Sequence, residues 1–139
     1  MHQTTIHDCQ LIDIRKYSDH RGYLSVIENG IDIPFDIKRI YYLYLVPEVA
    51  RGAHAHKVLQ QLLIATSGSV EVTMDDGVEK KTFHLDKPWK GLLVPPGLWR
   101  DLDNFSGGAV LMCLASEKYD AADYIRDYDE FLAYKKGKL

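Results

Sequence analysis

The sequence predicts an all-β jelly-roll barrel followed by one C-terminal helix. Three observations carry this. Short apolar runs recur at regular spacing with turn residues between them, which favours a sandwich or barrel over βαβ units. Asp75-Asp76-Gly77 supplies a strong hairpin signal between two such runs. From position 120 the apolar period changes from that of a strand to that of a helix.

Taken in order, Leu11–Ile14 and Tyr23–Ile27 are short strand candidates separated by the turn-forming Ser18-Asp19-His20-Arg21-Gly22. Ile37–Val46 is rich in β-branched and aromatic residues, with Tyr41, Tyr42 and Tyr44 inside it. Leu59–Thr66 and Ser69–Asp75 are joined across Ser67-Gly68, and the Asp-Asp-Gly turn leads into Val78–Leu85. Lys90–Val94 and Ala109–Ala115 complete the strands. In DAADYIRDYDEFLAYKK, Tyr124, Tyr128 and Phe131 fall on one helical face. Asp120 is placed to cap that helix, Asp123 lies in its first turn, and Lys135 and Lys136 lie near its end. The tyrosine stripe reads as packing against the barrel.

A chain of 139 residues fits a single domain, 1–139, with one continuous core. A formal charge of −3 and the lack of any basic run argue against nucleic acid or an anionic membrane as partner. A few placed arginines can still form a positive pocket for a small anion. The opening MHQTTIHDCQ has no basic n-region and no apolar run of signal-peptide type, and no later run reaches the length of a membrane span. Cys9 and Cys113 lack metal-pair spacing and read as buried small hydrophobes, so the expected compartment is the reducing cytoplasm.

The chemistry concentrates in Arg51-Gly52-Ala53-His54-Ala55-His56-Lys57. If this stretch is extended, His54 and His56 project from one face, which suits metal ligation or proton transfer. The spacing resembles the first cupin motif, an H-x-H pair followed by glutamate and then glycine. Gly68 stands at the glycine, but Gln60 and Gln61 occupy the glutamate positions, and Glu48 replaces the leading glycine. Pro95-Pro96-Gly97, Arg100 and Asn104 follow the frame of the second motif, with Arg100 where a histidine ligand belongs. A neutral amide is a weak donor and a guanidinium cannot ligate at all, so the chain is expected to hold no metal. Two histidines with arginines and tyrosines suit enolisation beside a carbonyl: imidazole moves the proton, and cationic or phenolic groups stabilise the oxyanion. His2 and His7 read as lying in a frayed terminus, His20 in a turn and His84 at a strand end, and Trp89 and Trp99 as barrel packing, with Trp99 near enough to Arg100 to touch a ligand.

Across nearly its whole length the sequence resembles the dTDP-4-keto-6-deoxyglucose 3,4-ketoisomerases, which supply 3-amino-3,6-dideoxy sugars to surface polysaccharides and S-layer glycans. The resemblance rests on IPFDIKRIYYL (33–43), RGAHAHK (51–57), GSV (68–70), GLLVPPGLWRDL (91–102) and VLMCLASEKYDAADYIRDYDEF (110–131). It implies a cupin jelly roll, a homodimer with exchanged N-terminal strands, no cofactor, and a dTDP-linked 4-keto-6-deoxy sugar as substrate. It also implies His54 and His56 as acid/base residues working through a 3,4-enediol, with His54 favoured as the base. Arg51 is a candidate for gripping phosphate or the sugar carbonyl, Tyr42 for lining the pocket unless a register slip substitutes Tyr41, and Arg39 and Lys57 for the pyrophosphate. Arg21 resembles members that give the galacto product, whereas Trp99-Arg100 resembles those that give the gluco product. A cupin 3,5-epimerase on the same substrate and a non-catalytic sugar-nucleotide-binding cupin are the competing readings.

Overall fold

The computed structural model describes residues 4–137; His2 lies outside them. Two five-stranded antiparallel sheets face each other. One runs β1 (Gln10–Asp13), β9 (Lys90–Val94), β6 (Gln61–Ser67), β11 (Val110–Ala115), β4 (Arg39–Tyr44). The other runs β12 (Tyr124–Ile125), β5 (Arg51–His56), β10 (Trp99–Asp103), β7 (Val70–Asp75), β8 (Lys80–Leu85). A separate hairpin, β2 (Lys16–Asp19) with β3 (Gly22–Ser25), has no other strand partner among the described residues.

Side chains from both inner faces, including Leu63, Val72, Met74, Leu92, Leu111 and Cys113, form the central core. The outer face of the first sheet is covered as well: Leu62, Ile64 and Leu114 pack with Ile14, Ile33 and Phe35. This is why β6 reads as an unbroken apolar run rather than an alternating one, since both of its faces are buried. On the outer face of the second sheet, Ala55, Trp99 and Ile125 receive Phe131 and Tyr134 from the helix α1 (Tyr128–Lys135).

Most strands follow the sequence pattern, but Lys16–Asp19, Arg51–His56 and Trp99–Asp103 are strands outside the expected set, the expected turn from Ser18 shrinks to His20-Arg21, and three further expectations need correction. The helix does not start at Asp120. That residue caps a 3₁₀ turn at Ala121–Asp123, the chain then pairs with β5 as β12, and Asp127 caps the true helix by accepting from Glu130 N at 3.1 Å. Tyr124 therefore belongs to a strand and not to a helical stripe. The hairpin strand begins at Lys80, not Val78, because Asp75 and Asp76 side chains accept from Gly77, Val78 and Glu79 N and hold a four-residue turn. His7 is part of an ordered 3₁₀ turn with a Thr5–Asp8 capping box and an ion pair to Glu79 at 3.5 Å, not a frayed end. Trp99 packs against Tyr128 and Phe131, as a barrel residue should.

Candidate active site

A cavity of about 320 Å³ opens between the two sheets at one end of the barrel. β4, β6 and β11 contribute Tyr41, Leu43, Gln61, Leu63, Leu111 and Cys113; β5, β10 and β12 contribute Arg51, His54, Arg100, Leu102 and Tyr124, with Arg126 just beyond.

The β5 wall is shaped by a bulge. Arg100 lies opposite His54 and Asp101 opposite Gly52, so Ala53 is the extra residue. Gly52 and Ala53 both take positive φ, 89° and 54°. The inserted residue changes the side-chain parity: Arg51, three positions from His54, faces the same cavity, whereas strict alternation would turn one of them out. The bulge also brings Gly52 O to 3.0 Å from His54 Nδ1, fixing the imidazole through a backbone carbonyl.

The two imidazoles converge. His54 Nε2 and His56 Nε2 are 3.2 Å apart with ring planes nearly perpendicular. His56 is fully buried and lies behind His54, away from the cavity lining, with Nδ1 3.1 Å from Asp123 Oδ2. Tyr124 packs on both rings, at 5.2 Å from His54 and 4.4 Å from His56 between centroids, and the Arg126 guanidinium sits 4.2 Å from the Tyr124 ring. Burial first, and then the charge of Arg100, push the imidazoles toward the neutral form, His54 down to about 4 and His56 down to about 2.

Arg100 is 3% exposed, and no carboxylate among the described residues pairs with it. Nη1 donates to Gln61 Oε1, Nη2 donates to Leu98 O at 3.3 Å, and Nε has no partner. Gln61, at the glutamate place of the first motif, passes the contact on by donating from Nε2 to Tyr41 Oη at 2.6 Å. Burial holds the Tyr41 phenol and the thiols of Cys9 and Cys113 protonated, the thiols at about 11 and about 12, so neither cysteine is a nucleophile at neutral pH.

This donor set does not fit a metal ion. Gln61 Oε1 is engaged by a guanidinium, Arg100 would face a dication at close range, and no group of three or more His, Cys, Asp or Glu converges among the described residues.

Of the eight residues singled out in the sequence, His54, Arg51 and Arg100 line the cavity and His56 backs it. Tyr42 does not line it: strand parity turns Ile40, Tyr42 and Tyr44 outward, leaving Tyr42 56% exposed, and Tyr41 takes the inner place. Arg39 points inward but is set against the Tyr41 and Tyr119 rings, with Nε and Nη2 buried and unpartnered. Lys57 lines a separate surface cleft of about 760 Å³ with Lys38 and Lys118. Arg21 is at the tip of the β2–β3 hairpin, paired with Asp19 at 2.6 Å. Sequence reasoning missed Asp123, Tyr124 and Arg126, which it had assigned to a helix; the only available signal was their position in the block shared with the resembling family.

Comparisons with known proteins bear on the fold and the family. Residues 7–136 match the FdtA family, described as WxcM-like, C-terminal. The chain is 45% identical over 126 residues to a TDP-4-oxo-6-deoxy-alpha-D-glucose-3,4-oxoisomerase of Aneurinibacillus thermoaerophilus, covering 90% of this chain and 91% of that one. A 3,4-ketoisomerase crystal structure from Helicobacter canadensis superposes with a TM-score of 0.91 at 46% identity, over 93% of this chain and 98% of the other. A sugar 3,4-ketoisomerase from Thermoanaerobacterium thermosaccharolyticum in complex with TDP gives 0.92 at 42% identity, over 97% and 99%. The cavity between the sheets is thus that of a cupin-like sugar-nucleotide isomerase fold, and the chain belongs to the FdtA, WxcM-like C-terminal family that holds the 3,4-ketoisomerases.

Proposed function

We propose that this protein converts TDP-4-keto-6-deoxyglucose to the corresponding TDP-3-keto-6-deoxyhexose in its barrel cavity, with His54 as the base that touches the sugar. The family and its relatives make the chain a sugar-nucleotide 3,4-ketoisomerase. The observation that carries the mechanism is the buried guanidinium of Arg100, with no carboxylate partner among the described residues, on the strand beside His54 in the wall of one cavity. A cation held there out of water favours an anion that develops beside it.

In this scheme His54 Nε2 takes the proton from C3. The C–H electron pair becomes the C3–C4 double bond, and the carbonyl pair moves onto O4, whose charge Arg100 offsets. A proton passes from O3 to O4, the proton held at His54 is returned to C4, and the carbonyl forms at C3. Arg51 at the cavity wall is assigned to the diphosphate or the sugar carbonyl.

Incubation with TDP-4-keto-6-deoxyglucose and NMR of the product tests this. A carbonyl at C3 is expected. A carbonyl retained at C4 with an inverted neighbour would establish an epimerase, and an unchanged but bound sugar a binding protein. His54→Asn is expected to lower kcat by about 10²–10⁴-fold, the usual range for one general acid–base group.

We also infer a single domain working in the cytoplasm as a homodimer with exchanged N-terminal strands. The β2–β3 hairpin supports the dimer: among the described residues it pairs with no other strand, and it leaves Tyr17, Tyr23 and Leu24 exposed. In such a dimer Arg21 would lie on the partner. Light scattering should give twice the chain mass.

A further inference from the structure

We infer that Asp123 and Gly52 O together lock both histidines in the Nδ1–H tautomer, so that His54 and His56 present two bare Nε2 lone pairs to one shared proton site, with Asp123 as a positioning residue. This rests on the ketoisomerase reading and goes beyond it.

Four ring nitrogens share the protons of the two imidazoles. Gly52 O can only accept, so the contact at 3.0 Å requires a proton on His54 Nδ1. Asp123 is committed as an acceptor: Oδ1 receives Lys57 N at 3.1 Å and Val58 N at 2.7 Å, and Oδ2 faces His56 Nδ1 at 3.1 Å, which requires the proton there. A neutral imidazole carries one N–H, so in the neutral pair both protons are used. What remains is two bare Nε2 atoms 3.2 Å apart. Burial and Arg100 favour that neutral pair.

Such a gap takes one proton and no more. The C3 proton taken up at His54 Nε2 stays within reach of His56 Nε2, 3.2 Å away, which can accept from it, and the positive charge on the pair is met by Asp123 on one side and the enediolate on the other. His56 is buried behind His54 and is not part of the cavity wall, so it acts through His54. The same proton is then available for C4. Nothing is oxidised or reduced by the protein, and the pair ends with the protons it began with.

Asp123→Asn tests this because its effect on the tautomer follows from the same contacts. Lys57 N and Val58 N keep the amide oxygen, so the amide NH₂ is turned to His56. His56 must then accept at Nδ1 and carry its proton on Nε2, which fills the shared site from the start. In ¹⁵N-histidine NMR at neutral pH the wild type is expected to show both rings protonated at Nδ1, and Asp123→Asn to show His56 protonated at Nε2. With TDP-4-keto-6-deoxyglucose, kcat of the variant is expected to fall by about 10²-fold or more with KM within about threefold. An Nε2–H ring in the wild type overturns the inference, even should the variant fail to fold. So does a variant that keeps the Nδ1–H tautomer or a kcat near wild type. The expected tautomer switch with no conversion of sugar by the wild type supports the tautomer lock and overturns only the ketoisomerase reading.

Discussion

At Gly52 the backbone enters the left-handed region at φ 89°, and an added Cβ would meet Arg100 O at 3.0 Å and Asp101 Cα and Leu102 N at 3.2 Å. All three are backbone atoms of the neighbouring strand and cannot swing aside. Gly52→Ala is therefore expected to cost about 1–3 kcal/mol, read as a lower urea midpoint at unchanged m. It should also lower kcat, because the same peptide supplies the carbonyl that orients His54. An unchanged midpoint would show that the bulge tolerates a side chain. Arg100→Met addresses the neighbouring strand of the same wall. Losing the cation that offsets charge on O4 is expected to reduce kcat by about 10²–10³-fold. Arg100 is also the second cause, after burial, of the depressed His54 ionisation, so the acid limb of kcat/KM should move up from about 4 part of the way to 6.5. A limb that stays put would remove Arg100 from the electrostatics of the base. These residues differ in how far the sequence reveals them. His54, His56 and Arg100 stand out because their types and spacing carry the chemistry. Arg51 adjoins the motif, but its inward direction depends on a bulge that no local pattern announces. Tyr42 and Tyr41 are equivalent in composition and separated only by strand parity, which pairing with β11 decides.

Among the elements, the strands were legible because apolar runs and Asx-Gly turns are local properties. The stretch 120–136 was not, because Asp120 and Asp127 are both good caps and the helical period runs through both. What selects Asp127 is long-range: Tyr124 and Ile125 pair with His56 and Ala55, and this takes them out of the helix. The cost of mistaking that segment was the loss of Asp123 and Tyr124 from the site. The short helix that remains has a distinct task. Phe131 and Tyr134 press on Trp99 and Ile125 and so hold β12 against β5. Replacing the cap, Asp127→Ala, is expected to destabilise the protein by about 1 kcal/mol. Because the cap's side chain accepts from Glu130 N of its own helix, kcat should change little. A large fall in kcat at normal stability would mean that α1 sets the position of Tyr124 more tightly than packing alone implies.

For the molecule as a whole, the site and the stability of the fold respond to pH in opposite senses relative to an ordinary histidine. Chemistry needs a neutral imidazole, and with His54 depressed to about 4 the base stays competent over roughly pH 5–8, where an exposed histidine near 6.5 would titrate away. Stability follows linkage. In the unfolded chain His54 and His56 bind protons as the pH falls through 6.5, while in the folded state they do so only near 4 and 2. Between these values the unfolded state holds more protons, so unfolding free energy must fall with decreasing pH. Asp76 adds a second loss at lower pH. Burial opposes its charge, but hydrogen bonds from Glu79, Ile6 and Val78 N outweigh that and leave its folded value below 3.8; its contribution is complete above 3.8 and disappears as the pH drops through the folded value. The expected result is a Tm that declines steadily from about pH 7 to pH 5 while kcat/KM stays nearly flat over the same range. Replacing both imidazoles, His54→Asn with His56→Asn, should flatten the Tm curve in that interval and leave the acid loss at Asp76 in place. A Tm that is level across the interval in the wild type would mean that the two rings take up protons in the folded protein as readily as in the unfolded chain, near 6.5, and the base on which the enolisation depends would titrate away over that range.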